Sequence, residues 1–364
     1  MTRLKAEIAE RIALDGPMPV DRYMALCLSH PTLGYYTTRD PFGAAGDFTT
    51  APEISQVFGE LIGLWAAQTW LGLGAPPRLR LVEIGPGRGT LMADALRAIA
   101  RALPAMMSAL EVRMVETSRT LQAAQQARLA QAGAVIRWTE HAEAALDGPV
   151  IVIANELLDA LPVRQFVRTA RGWHERLVGL GEAGEFAFGL APDPDPGLRM
   201  EAHEGAVLEL SPASDALLAT VARHIAAEGG AALFIDYGFT QGGFGDTLQA
   251  MQRHGFVDPL AGPGEADLTT HVNFARAADL ARAQGARVFG PVTQAAFLLG
   301  LGLTQRAATL RRAATPAQAA ALDASLARLT DSAERGMGQL FKAIAFAHPS
   351  IEALAGFDAA APNP

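Results

Sequence analysis

Leu81-Val-Glu-Ile-Gly-Pro-Gly-Arg-Gly-Thr90 is the stretch from which the fold can be read. The apolar run Leu79–Ile84 predicts a buried strand. Gly85, Pro86, Gly87 and Gly89 follow at once. From 90 to 103 the residues Leu91, Ala95, Leu96, Ile99 and Leu103 recur at helical spacing. Strand, glycine-rich turn and helix make the opening unit of a doubly wound α/β domain. Glycines at such a turn let the backbone come close to a ligand, because no Cβ intervenes. That ligand lies at the carboxyl end of the strand, where helix amides point outward.

Working downstream, strands are expected at 111–115, 134–138 and 150–154, with helices at 117–132 and near 141–146 between them. A helix at 214–227 leads to a fifth strand at 231–237, and a helix at 274–284 to a strand at 286–292. A last strand is expected at Phe341–Ala347. Such alternation argues for a mainly parallel sheet covered on both faces. Right-handed crossovers bring the strand carboxyl ends to one rim, which should collect Glu83, Gly85, Glu116, Thr139-Glu140 and Asn155-Glu156.

Upstream, helices are expected at 2–14, with Leu4, Ile8, Ile12 and Leu14 on one side, and at 20–28 and 54–71. Ala51-Pro52-Glu53 is a suitable helix start, with proline in the first turn. The polar, glycine-rich run at 43–55 is long for a mere connection and reads as a binding loop. Residues 163–180 alternate like a hairpin inserted at the rim, 241–270 reads as loops with one short helix, and 294–335 as a helical second insertion. The domain reading is a helical region at 1–77, an α/β domain at 78–347 with insertions near 163–210 and 294–335, and a tail at 348–364, disordered from 359.

Half of the 364 residues are hydrophobic, ample for a large core, and the net charge is −8 with no long basic run. That argues against nucleic-acid binding. The one cysteine, Cys27, lies in apolar sequence and reads as a buried structural thiol. It excludes an intrachain disulfide and suits a reducing compartment. No apolar run long enough for a membrane span, and no apolar export-signal core, is visible. The expected location is a bacterial-type cytoplasm, or else that of a mature, already processed form. The eight histidines lack HExxH-type spacing, so no metal is expected. Gly-x-Ser-x-Gly and the P-loop pattern are both absent, which argues against an α/β-hydrolase and a P-loop enzyme.

The dinucleotide fingerprint is Gly-x-Gly-x-x-Gly with an acid about 20 residues on. Here the glycines are spaced Gly85-x-Gly87-x-Gly89, Glu83 precedes them, and the next strand ends at Glu116. That pattern resembles motif I and the ribose-binding acid of class I S-adenosylmethionine-dependent methyltransferases. A carboxylate can accept bonds from both ribose hydroxyls. A structural turn and a nicotinamide site are the competing readings. After the fourth strand comes Asn155-Glu-Leu-Leu-Asp159, polar residues at the rim. Glu156 and Asp159 are the catalytic candidates, since carboxylates can hold a guanidinium by paired charge-assisted bonds and accept its proton. The competing reading is a helix start, with Asn155 and Glu156 capping 157–161. Asp236 ends the fifth strand, where it either shapes the substrate pocket or marks a turn.

The chain resembles the MidA family of class I methyltransferases. The resemblance rests on Gly46-Asp-Phe-Thr-Thr-Ala-Pro-Glu-Ile-Ser55 with Phe58-Gly59, Glu83 to Leu91, Ala154 to Val163, Ile235-Asp-Tyr-Gly238, Gly245 to Ala250 and Asp267 to Val272. Ala51 stands where the family pattern has serine. If the sheet follows the class I pattern, the last strand, Phe341–Ala347, runs antiparallel. The resemblance implies S-adenosyl-L-methionine as cofactor, with Glu83, Gly85, Pro86, Gly87, Glu116 and Asn155 around it. Asn155 and Glu156 would lie beside the methionine and methyl groups. Thr50, Pro52 and Glu53 would form a lid or substrate rim, with Asp236 nearby. It also implies a protein substrate. Mitochondrial-matrix members methylate an arginine of a quinone-side subunit during assembly of respiratory complex I. A small-molecule methyltransferase and an assembly chaperone with a vestigial cofactor site are the alternatives, and the oligomeric state stays open.

Overall fold

The computed structural model describes residues 2–38, 47 and 49–357. Gly43 to Gly46 and Phe48 of the expected binding loop, and the tail at 359–364, lie outside the described residues. The chain divides into two compact units, each drawn from three separated stretches: Met1–Phe48, Leu158–Ala216 and Gln241–His271 in one, Thr49–Leu157, Leu217–Thr240 and Val272–Pro364 in the other.

The second unit is built on the expected sheet. Its main strands are β1 (Leu79–Ile84), β2 (Leu110–Val115), β3 (Val135–Thr139), β4 (Val150–Asn155), β5 (Gly230–Phe239), β6 (Arg287–Thr293) and β7 (Phe341–Ala347). Their spatial order is β6-β7-β5-β4-β1-β2-β3, and a two-residue strand, Val272–Asn273, also pairs with β5. β1 to β5 pair in parallel, while β7 runs antiparallel to both β5 and β6. β7 ends the chain's sheet but not its edge, because it inserts between β5 and β6. β4 is buried on both faces through Ala154, which is why it reads as Val-Ile-Val-Ile-Ala.

Four helices of this unit frame the rim: α1 (Ala51–Ile54), α2 (Gln56–Gly72), α3 (Thr90–Ala102) and α4 (Arg119–Leu129). The expected 54–71 helix is interrupted at Ser55, whose extended backbone and side-chain oxygen cap α2 by accepting from Val57 N. α2 and α3 lie almost backbone to backbone. A Cβ on Gly59 would stand 2.7 Å from Asp94 Cβ, and one on Gly63 2.5 Å from the Ala95 carbonyl oxygen. Phe58, Leu61, Ile62 and Trp65 of α2 join Leu91, Leu96 and Ile99 of α3 and Leu81, Ile151 and Leu233 of the sheet in one core. Each such side chain contributes roughly 1.5–3 kcal/mol when fully buried. Glu60 is buried within α2 and takes a bidentate pair from Arg306 at 2.8 and 3.0 Å.

In the first unit, helices Arg3–Asp15 and Val20–Ser29 and a five-stranded antiparallel sheet share a core of Leu4, Ile8, Ile12, Tyr23, Met24, Cys27 and Val178. Leu14, expected on that apolar side, is 78% exposed, since two residues beyond Ile12 it points about 200° around the helix, away from the core. The 163–180 hairpin is present as Arg164–Thr169 and Gly172–Leu180. The 241–270 stretch holds strands rather than a helix: Gln249–Gln252 pairs with both Gly255–Val257 and Asp267–Thr269. Two of its buried residues, Ala250 and Leu268, are cross-strand partners, a pairing no local periodicity reveals. Burial pushes the Cys27 thiol up to about 12, so it stays protonated. No helix among the described residues is long and apolar enough to cross a membrane.

Candidate active site

At the carboxyl end of β1 the chain turns through three left-handed glycines, Gly85 (φ +68), Gly87 (+52) and Gly89 (+73). Gly85 N continues the ladder by donating to Val115 O at 3.1 Å, and Gly89 caps α3. The left-handed conformation favours glycine at 85, and a Cβ there would lie 2.8 Å from Leu157 Cδ1, so the end of that side chain would have to move aside. Pro86 is buried in the turn.

Glu83 lies one residue before the end of β1, 3% exposed, and its Oε2 has no hydrogen-bond partner. Burial, reinforced by the neighbouring Glu116 carboxylate, pushes its carboxyl up to about 8. Glu116 directly follows β2. Its Oε1 accepts from Ser118 N at 2.7 Å and its Oε2 from Gln125 Nε2 at 3.0 Å. Burial raises its carboxyl too, opposed by the hydrogen bonds from Ser118 and Gln125.

The end of β4 carries the next pair. Asn155 Nδ2 donates to Glu156 Oε1 at 3.0 Å, and Asn155 Oδ1 is buried without a partner. Glu156 adopts φ +51, a left-handed conformation rare for a non-glycine residue. Its amide donates to Ile235 O at 2.8 Å. Its Oε1 also accepts from Ala51 N, at 2.9 Å. These two bonds join Glu156 to the preceding residue and to α1, and a 3₁₀ turn, Leu158–Ala160, follows.

α1 is tied at both ends. Thr50, its buried N-cap, and Pro52 are packed inward, and Ala51 N meets Glu156. Glu53 Oε1 accepts from Thr90 Oγ1 at the start of α3, and Glu53 Oε2 lies 3.7 Å from Arg88 Nη1 in the glycine turn. The structure therefore brings Thr50, Pro52 and Glu53 to the same rim as Glu83, Gly85, Gly87, Glu116, Asn155 and Glu156. Asp236, 1% exposed in β5, braces this end: Oδ2 accepts from Leu157 N at 3.1 Å and Oδ1 from Tyr237 N at 2.9 Å. Asp159 belongs to the other unit, buried, its carbonyl accepting from Thr270 N at 2.9 Å.

Sequence reasoning overlooked Gln125 and Trp138. Gln125 is fully buried and bonds Glu116, the Gly87 carbonyl and the Trp138 indole. A signal existed: Leu121, Gln125 and Leu129 form a stripe at i, i+4, i+8 with one polar member.

A cofactor with a ribose, an α-amino group and a positive centre fits this rim. Glu116 offers a carboxylate for hydroxyls, the buried Asn155 Oδ1 and Glu83 Oε2 are acceptors lacking donors, and the left-handed turn admits close approach. Together with the strand order, this defines an S-adenosylmethionine-dependent methyltransferase. The family described as "Putative S-adenosyl-L-methionine-dependent methyltransferase" matches residues 61–292, and the chain belongs to it. A mouse relative named protein arginine methyltransferase NDUFAF7, mitochondrial, is 34% identical over 84% of this chain and 76% of its own. The Drosophila melanogaster homologue of that name is 33% identical over 94% and 84%. A crystal structure of a COG1565 superfamily member from Burkholderia thailandensis, bound to S-adenosyl-homocysteine, superposes with a TM-score of 0.82. It is 32% identical and covers 98% of this chain and 94% of that one.

Proposed function

We propose that the protein transfers a methyl group to an arginine side chain of a protein, with Glu156 as the residue that receives the guanidinium. The observation that carries this reading is the backbone of Glu156. A left-handed glutamate costs about 1–2 kcal/mol, and such outliers cluster where geometry serves function. Here it turns a carboxylate out of the end of a buried strand.

S-adenosylmethionine supplies an electrophilic methyl on its sulfonium. An arginine nitrogen is a poor nucleophile, because the guanidinium is charged and its electrons are delocalised. A carboxylate opposite it fixes the plane of the group by paired charge-assisted bonds. It also accepts the proton that nitrogen must lose as the new N–C bond forms. Glu83, Gly85, Pro86, Gly87, Glu116 and Asn155 are assigned to the cofactor. Thr50, Pro52, Glu53 and Asp236 are assigned to the substrate rim, and Asp159 is held as the second catalytic candidate. The names of the mitochondrial relatives support an arginine acceptor. By the same resemblance, the target is a subunit of a respiratory complex I-like assembly; the site of action is assigned to a bacterial cytoplasm on the single cysteine, which suits a reducing compartment. Peptide mass spectrometry on strains with and without the gene tests this. An arginine methylated only when the protein is present is expected; identical arginine methylation in both strains would overturn it.

A further inference from the structure

We propose that Gln125 is a positioning residue for the cofactor, locking the Glu116 carboxylate to the glycine turn through one amide group. The inference rests on the reading of Glu116 as the ribose acid.

Gln125 sits in the middle of α4 with no exposed surface, beneath the turn. Its Nε2 donates twice, to the Gly87 carbonyl at 2.8 Å and to Glu116 Oε2 at 3.0 Å. Its Oε1 accepts from Trp138 Nε1 at 2.9 Å. The orientation of the amide is over-determined. An indole N–H only donates, while a carbonyl and a carboxylate only accept, so one arrangement satisfies all three partners. Packing adds a further restraint, since a Cβ at Gly89 would come within 3.3 Å of Gln125 Cγ. The glycine turn after β1 and the acid after β2 are thus spaced by a side chain from α4, which Trp138 of β3 holds in place.

Two consequences follow. The Glu116 carboxylate has one oxygen on Ser118 N and the other on Gln125, so its plane is set before any hydroxyl arrives. Preorganisation of this kind lowers the cost of binding. An N–H donor on the carboxylate also favours its ionised form, the state that accepts from two hydroxyls.

Gln125→Glu preserves size and the acceptor for Trp138 but replaces the donor. Calorimetric titration with S-adenosylhomocysteine at pH 8 should show affinity reduced about tenfold, the scale of a lost hydrogen bond to a charged group. Lowering the pH should restore it relative to wild type, as a protonated carboxyl again offers a donor. Trp138→Phe keeps the Gln125 donors but strands its buried Oε1 and frees the amide to turn, so it should lower the melting temperature modestly and, titrated well below that temperature, weaken binding severalfold. This second variant decides the matter if Gln125→Glu does not fold. A Gln125 that only fills space would lower the melting temperature and leave the affinity ratio at wild type at both pH values; that result, or wild-type affinity in Trp138→Phe, overturns the proposal. Glu116→Gln, titrated alongside, separates the two levels of argument. Wild-type affinity there would remove the ribose reading itself, whereas weakened binding in Glu116→Gln with none in the Gln125 and Trp138 variants would refute the positioning role alone.

Discussion

Glu156 is where a structural and a chemical role can be told apart. Its Oε1 takes two hydrogen bonds, from Ala51 N and Asn155 Nδ2. In Glu156→Gln the amide oxygen can still accept both, with neutral in place of charge-assisted strength, so the variant should lose only about 1 kcal/mol of stability. Glu156→Ala removes the acceptor altogether. Ala51 is fully buried, so its amide has no ready substitute partner. With the Asn155 amide also unpaired, the loss should be about 2–4 kcal/mol. The backbone strain at φ +51 is common to all three side chains and cancels. Turnover should order differently. A general base contributes about 10²–10⁴-fold, so Glu156→Gln should lose at least about a hundredfold in methyl transfer while binding S-adenosylhomocysteine normally. The assay is single-turnover transfer of labelled methyl into extract from a strain lacking the gene, beside a melting curve for each variant. Wild-type transfer by folded Glu156→Gln would refute the reasoning. Glu156 would then only anchor α1, and Asp159 would be the next residue to test.

Gly85→Ala should cost about 2–3 kcal/mol, from the left-handed conformation plus crowding of Leu157; urea unfolding measures it, and an unchanged midpoint would contradict the geometry. For Glu83, the folded-state carboxyl at about 8 lies above its ordinary 4.5, so the stability it allows is full below pH 4.5 and is lost as pH rises towards 8. Glu83→Gln should therefore flatten the fall of melting temperature across that window and be more stable than wild type at pH 9; parallel curves for both proteins would show that Glu83 is ionised throughout. Arg306→Met strands the buried Glu60 carboxylate and should cost about 3 kcal/mol or more without altering cofactor affinity, and an unchanged melting temperature would mean that Arg97, 3.7 Å from Glu60, takes over.

Much of the fold was legible because the sheet announces itself locally. β4 is buried on both faces through Ala154 and reads as an unbroken apolar run, β1 is mainly apolar despite Arg80 and Glu83, and the glycines that follow β1 have few other uses at that position. The expected boundaries of β1 and β7 match the structure to the residue. What stayed hidden depends on partners far away in sequence. The helices at the start of the chain share a core with Val178 and Leu268. The strand at Gln249–Gln252 exists because Asp267–Thr269 pairs with it. At the site, carboxylates were found because charge after an apolar strand is conspicuous. Gln125 was passed over because a glutamine in a polar helix looks solvated until its neighbours are known, and the Ala51 amide that meets Glu156 has no side-chain signature at all.

The central claim is that the turn from Gly85 to Gly89, with Glu116 behind it, holds S-adenosylmethionine. Isothermal titration of the purified protein with S-adenosylhomocysteine and, separately, with NAD tests it directly. One molecule of S-adenosylhomocysteine should bind per chain, with Gly87→Val abolishing the heat while circular dichroism shows a folded protein, and NAD should give none. Binding of NAD without S-adenosylhomocysteine, or wild-type affinity in Gly87→Val, would contradict the account.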